Sequence, residues 1–247
     1  MGRSYFIWKG TDCRNMGVQL QEALPIIRGE ERVEHMSIPG RSGDLTMTEG
    51  NRIFESYIQT AKIAVKGAQR VPEILNWLTG AGYLTTGSEP NRQQLARVIG
   101  AVTLNPHSRN LDWWTGEAQF YCQPLKEALR EGKITMTAAG TVYNHGDVIA
   151  KPYYKVTANS SGGTIVLQVT HTSGSSTVRE ELTIPGISGS GNVYIDCETG
   201  IILNNDQSVL LNSISSGDFP VLQPGDNNYL GGSGWASVEI TKRERYL

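Results

Sequence analysis

Two carboxylates, Asp196 and Glu198, stand two apart in an alternating run. Residues at that spacing share one face of a strand, so the pair is a candidate for acid/base chemistry or for holding a cation. Val193, Ile195 and Cys197 take the core-facing parity, however, and the Tyr194, Asp196, Glu198 side reads as an ordinary exposed strand face. The four histidines, His35, His107, His145 and His171, form no HExxH or H-x-E pattern, and none stands at ligand spacing from a cysteine. His171, between Thr170 and Thr172, is expected at a strand surface or edge. Cys13, Cys122 and Cys197 are distant singletons, so neither a disulfide framework nor a zinc knuckle is expected. They read as reduced packing residues. The glycine cluster Gly186 to Gly191 precedes a strand and lacks the helix N-terminus that cradles a phosphate. Asp226-Asn227-Asn228, after Pro224-Gly225, reads as a polar turn, with a calcium loop as the alternative. Among the tryptophans, Trp113 and Trp114 are adjacent, so one of them faces outward if both lie in a strand. An outward tryptophan marks a protein interface as readily as a sugar platform. No catalytic constellation, cofactor site or metal site is expected, and the chain is read as a non-enzyme.

The elements that would position these residues are mainly strands. The chain has 247 residues, with 38% hydrophobic, 19% charged and 28 glycines. That profile suits a turn-rich β protein and is poor in helix formers. Its net charge of −2 argues against a nucleic-acid coat or a basic membrane patch. No run approaches the ~20 apolar residues of a membrane span. The opening residues Met1 to Gly10 hold no leader core, and Phe6 replaces the Ser or Thr needed for myristoylation at Gly2. Synthesis and folding in the cytoplasm are therefore expected.

Composition shifts near residue 135. Through residue 137 there are 16 Lys and Arg against 14 Asp and Glu, a net +2; from 138 onward there are 6 against 10, a net −4. The later part also holds 14 glycines and 13 serines. Two domains are expected, 1–133 and 134–247, joined near Arg130-Glu131-Gly132-Lys133. In the first, strands are read at Tyr5 to Lys9, Arg52 to Val65, Tyr83 to Thr86 and Trp113 to Cys122. An extended run, Arg32 to Ile38, leads into a loop signal at Ile38-Pro39-Gly40-Arg41-Ser42-Gly43-Asp44-Leu45. Val71, Ile74, Leu75 and Leu78 have helical spacing, with Pro72 at the start and Gly80 past the end, which predicts one helix over about 71–79. Arg92 to Leu104 is read as helical at its start and strand-like later. In the second domain, short strands are separated by breaks such as Ser160 to Gly163, Ser173 to Ser176 and Thr199-Gly200. That spacing, without a helical period, predicts an antiparallel β-sandwich or barrel.

The motifs in their order resemble one family. They are the Ile38 to Leu45 loop, the Val71 to Leu78 helix followed by Gly82-Tyr83-Leu84, and the Phe120-Tyr121-Cys122-Gln123-Pro124 strand end. After them come Tyr143-Asn144-His145-Gly146, Ala150-Lys151-Pro152, Tyr194 to Glu198, Gly217 to Leu222, Pro224 to Asn227 and a basic last strand. Together they cover nearly the whole chain and are similar to the distal tail protein (Dit) family of siphophages and prophages of Gram-positive bacteria. The resemblance implies an N-terminal β-rich domain with one helix and a C-terminal galectin-like β-sandwich. It implies a virion structural protein of the tail tip or baseplate. Six N-terminal domains would form a ring joining the tail tube to the tail-associated lysin or fibre and to receptor-binding proteins. Pro39, Gly40, Arg41, Gly43 and Asp44 are the candidate ring contact, with Arg41 and Asp44 able to pair across subunits.

Two other readings compete. One is a carbohydrate-binding sandwich for host cell-wall glycans, stacking sugar on Trp235; the other is a hydrolase using Asp196 and Glu198. Asn105-Pro106-His107-Ser108-Arg109 superficially resembles a sugar signature but falls in the first part, so galactose binding is not carried over.

Overall fold

The computed structural model describes residues 4–48, 52–173, 176–230 and 233–247. Gly2 and the Gly174-Ser175 part of one expected break lie outside them. The protein is mainly β and divides into two compact units, residues 1–129 with Leu247, and residues 130–246. Among the described residues no helix is long and apolar enough to cross a membrane.

The first unit contains β1 (Phe6–Trp8), β2 (Thr11–Asp12), β3 (Val18–Leu20), β4 (Val33–Ser37), β5 (Asp44–Thr48), β6 (Tyr57–Lys66), α1 (Val71–Trp77), β7 (Ala81–Thr86), β8 (Arg92–His107) and β9 (Asn110–Ala128). All but β4 and β5 of these strands join one antiparallel sheet in the order β2-β1-β7-β8-β9-β6-β3. One face carries Phe6, Trp8, Ala61, Ile63, Val65, Ala118 and Phe120, all buried. Ile74 and Leu78, one turn apart, are buried in the same core. Trp8 meets Phe120 edge-on at 5.1 Å, Phe6 stacks on Trp77 at 5.6 Å, and the Trp8 indole N–H donates to the Trp77 carbonyl at 3.1 Å. The helix is two residues shorter than its spacing predicts: Leu78 leaves the helical region at ψ 59°.

The expected helical start at Arg92 is overturned. β8 is strand from its first residue, paired with β7 and β9. The misleading signal is an inversion of polarity: Gln94 is buried and Leu95 exposed. Gln94 is tolerated inside because Tyr57 Oη–H donates to its Oε1 at 2.6 Å and its amide meets Cys122 Sγ at 3.2 Å.

The second unit is a sandwich. Its strands are β10 (Lys133–Met136), β11 (Gly140–Asn144), β12 (Tyr153–Ala158), β13 (Gly163–Ser173), β14 (Ser176–Ile187), β15 (Asn192–Asp196), β16 (Ile201–Leu203), β17 (Ser216–Gly217), β18 (Gly225–Leu230) and β19 (Trp235–Thr241). One sheet runs β10-β19-β12-β15-β16, the other β11-β18-β13-β14-β17. Alternate residues of both, including Tyr154, Val156, Ile195 and Ile240 against Leu167, Val169, Leu182 and Tyr229, form one core. The Tyr154 and Tyr229 hydroxyls meet across it at 2.8 Å. The Ser160–Gly163 break carries the chain from one sheet to the other; it does not close a hairpin.

Candidate functional site

The expected chemical groups are scattered and mostly engaged in holding the fold. Asp196 ends β15, and Glu198 lies beyond it in the turn, so the two do not share a strand face. Asp196 Oδ1 accepts from the Glu198 amide at 2.9 Å and from Arg243 Nη1 at 2.6 Å. Burial pushes its pKa up, but the Arg243 guanidinium and these amides outweigh burial and hold it below the usual carboxylate value. Glu198 lies 3.5 Å from Arg245. His171 is neither at an edge nor at the surface. It sits in β13, with β14 and β18 on its two sides, and is buried. Asn227 is not in a turn. It is a fully buried residue of β18 whose amide donates to the carbonyls of Gln223 and Gly225 and whose Oδ1 accepts from the Gln223 amide. Trp235 is half-buried and donates its indole N–H to the Val166 carbonyl at 3.2 Å. Trp113 and Trp114 are both half-buried. Cys13, Cys122 and Cys197 are free and buried, and burial pushes the Cys122 thiol up to about 12. Among the described residues no three His, Cys, Asp or Glu side chains gather as metal ligands.

Two buried ion pairs are invisible in the sequence. Lys126 donates to Glu89 Oε2 at 2.6 Å and to the Ile27 carbonyl at 3.0 Å, pinning the segment that leads into β4. In the second unit Lys242 donates to Glu244, whose carboxylate also accepts from the His145 amide and the Tyr246 hydroxyl. Burial raises the Glu244 pKa, but these donors override it and bring the value down to about 2.

One feature left open to solvent is the β4–β5 hairpin, which forms a two-stranded sheet of its own. Its base is stapled: Arg32 N–H donates to the Ile53 carbonyl at 2.7 Å, and the Arg32–Glu55 and Arg52–Glu31 pairs close at 2.5 and 2.9 Å. Its tip holds the Pro39 to Asp44 candidates. The Arg41 amide donates to the Ile38 carbonyl at 3.1 Å, and Gly40 has φ 83°. Pro before a positive-φ glycine is the type II turn signature. Gly43 has φ 84°, and open space surrounds the position a Cβ would take at either glycine. Arg41 and Asp44 are exposed and make no ion pair with each other among the described residues.

Register decides what the hairpin presents. Glu34 opposes Met47 and Met36 opposes Leu45, on one side; His35 opposes Thr46 and Ser37 opposes Asp44, on the other. On the polar side Thr46 Oγ1 lies 3.3 Å from His35 Nδ1. On the apolar side Met36, Leu45 and Met47 are 52%, 38% and 47% exposed. A solitary two-stranded hairpin is marginal in water.

This two-unit β architecture is the fold of a phage distal tail protein. The solved structure of the Dit protein of SPP1, described as a paradigm of the hub adsorption apparatus in phages infecting Gram-positive bacteria, matches it with TM-score 0.75 and 19% identity, over 98% of this chain and 99% of that one. The phage P2 baseplate in its activated conformation with Ca gives TM-score 0.47 and 9% identity, over 99% of each chain. No family profile and no curated protein sequence matches the chain.

Proposed function

We propose that this chain is a structural hub protein of a phage tail tip, not an enzyme. Six copies close a ring through the first unit, which joins the tail tube to a tail-associated lysin or fibre. The second unit, a galectin-like sandwich, faces receptor-binding or other baseplate proteins. The observation that carries this reading is the fold match to SPP1 Dit, which runs through both units from end to end. The hairpin tip, with Pro39, Gly40, Arg41, Gly43 and Asp44, is the proposed ring contact. Supporting it, the tip is turned by two positive-φ glycines, is exposed, and carries one charge of each sign. Six identical subunits need contacts between two different surfaces that close on themselves. Light scattering and negative-stain images of the purified chain, alone and with tail-tube and lysin partners, test it. Closed rings are expected; a strict monomer that binds neither partner overturns the reading. Trp235, the stacking platform of the glycan-binding alternative, is half-buried and its N–H is held by the Val166 carbonyl.

A further inference from the structure

A hairpin that is marginal alone takes its order from the chain that feeds it. Residues 21–30, between β3 and the hairpin base, form neither helix nor strand and make a strap. Apart from Leu24, Ile27 and Gly29 the strap residues are exposed, so little apolar burial holds it. It hangs instead from its main chain. The Ser88 hydroxyl donates to the Leu24 carbonyl at 2.6 Å, and Lys126 Nζ donates to the Ile27 carbonyl at 3.0 Å. At Gly29 a Cβ would lie 2.4 Å from the Glu55 carbonyl oxygen and 3.0 Å from Pro124 Cβ, so the strap passes where only glycine fits. The Glu55 amide then donates to the Glu30 carbonyl at 2.7 Å, at the foot of the hairpin. The Arg32–Glu55 and Arg52–Glu31 staples beyond it are exposed pairs, which hold weakly.

Lys126 is the unusual hold. It is 3% exposed, on the parity of β9 that buries Ala118, Phe120 and Cys122. Taking an ammonium out of water costs much of what its ion pair returns, and an apolar side chain of similar volume would hold the sheet as well or better. What a cation alone adds here is a charge-assisted bond to a main-chain carbonyl of the strap. Glu89 aims the lysine: its Oε2 accepts from Lys126 at 2.6 Å, while its Oε1 stands 3.1 Å from Arg92 Nη1. Ser88 and Glu89 belong to one turn, 87–91, between β7 and β8, so that turn grips the strap twice. We infer that Lys126, oriented by Glu89, is a positioning residue for the β4–β5 hairpin. Its bond to the Ile27 carbonyl fixes the strap, and so the pose of the hairpin, while the sheet does not depend on it for stability. The pose belongs to the single chain; its consequence for assembly rests on the ring reading above. A hairpin held in one pose loses less freedom when it meets a partner.

Hydrogen exchange of the full chain, diluted until native mass spectrometry shows monomer only, tests the clamp. Lys126→Met should speed amide exchange across the strap and β4–β5 by about tenfold or more, with β6, β8 and β9 as protected as in wild type and the urea midpoint unchanged. Glu89 keeps Arg92 as its partner in that variant, so no carboxylate is stranded. Gly29→Ala pushes the same strap off Glu55 without touching the ion pair and should give the same pattern. Hairpin exchange unchanged in either variant overturns the inference. So does exchange that rises through the sheet as well, or a Lys126→Met chain that fails to fold, because Lys126 is then scaffold. At higher concentration, with tail-tube protein present, Lys126→Met should lower the yield of rings. A loosened hairpin with a full yield of rings leaves the clamp standing and overturns the hairpin as the ring contact.

Discussion

Two hairpins in this molecule have similar local chemistry and opposite surroundings. β4–β5 and β15–β16 are both short antiparallel pairs with alternating side chains and a glycine of positive φ in the turn. In β15–β16 the apolar parity, Val193, Ile195 and Ile202, is sunk in the sandwich core, and β12 pairs along β15. Its turn is fastened by the Gly200 amide on the Asp196 carbonyl at 2.8 Å and by Asn212, which donates to the Gly200 carbonyl at 2.6 Å. In β4–β5 no third strand pairs with either strand among the described residues, and the apolar parity meets solvent. Alternation and a glycine turn make a hairpin; what lies against its apolar side decides whether it is scaffold or contact.

Mutations should separate the two. Ile195→Ala should cost the sandwich about 2–5 kcal/mol by leaving a cavity, measured by urea unfolding. Next, Glu244→Gln should cost about 2 kcal/mol by leaving the buried Lys242 ammonium without its anion. The same site sets an acid limit. Because the folded value lies near 2 and the ordinary value is 4.5, its stabilisation is complete above about pH 4.5 and fades as pH falls to about 2. An acid titration of Glu244→Gln should lack that slope. Third, Gly200→Ala should lower stability by about 1 kcal/mol, since φ is 67° there. Gly40→Ala, at φ 83°, should leave the global midpoint unchanged and instead speed amide exchange within β4–β5. The Met36→Ser, Met47→Ser double variant should likewise leave stability within about 0.5 kcal/mol of wild type, because both side chains are half exposed. A large loss there would mean that the hairpin is scaffold after all.

Much of the fold is legible in the sequence where polarity and parity agree. Tyr154, Val156 and Ala158 alternate into the core of β12, and Val193, Ile195 and Cys197 into that of β15 and its turn. Val71, Ile74, Leu75 and Leu78 mark the helix. Legibility fails where they conflict. Gln94, Lys126, His171 and Asn227 are buried polar groups. The partners that satisfy Gln94 and Lys126, Tyr57 and Glu89, are each 37 residues away in the chain, beyond the reach of any local pattern. At the candidate site, Pro39 and the two glycines announce the turn. The apolar side does not announce itself, because Met36 and Leu45 become neighbours only once the strands pair.

The buried cysteines make the protein easy to probe chemically. All three thiols lie inside, and burial raises the pKa of each, so thiolate is scarce at neutral pH and maleimides or spin labels find nothing to attack. A single cysteine introduced at an exposed position such as Ser42 would therefore carry a label to one defined place, without first removing the native residues.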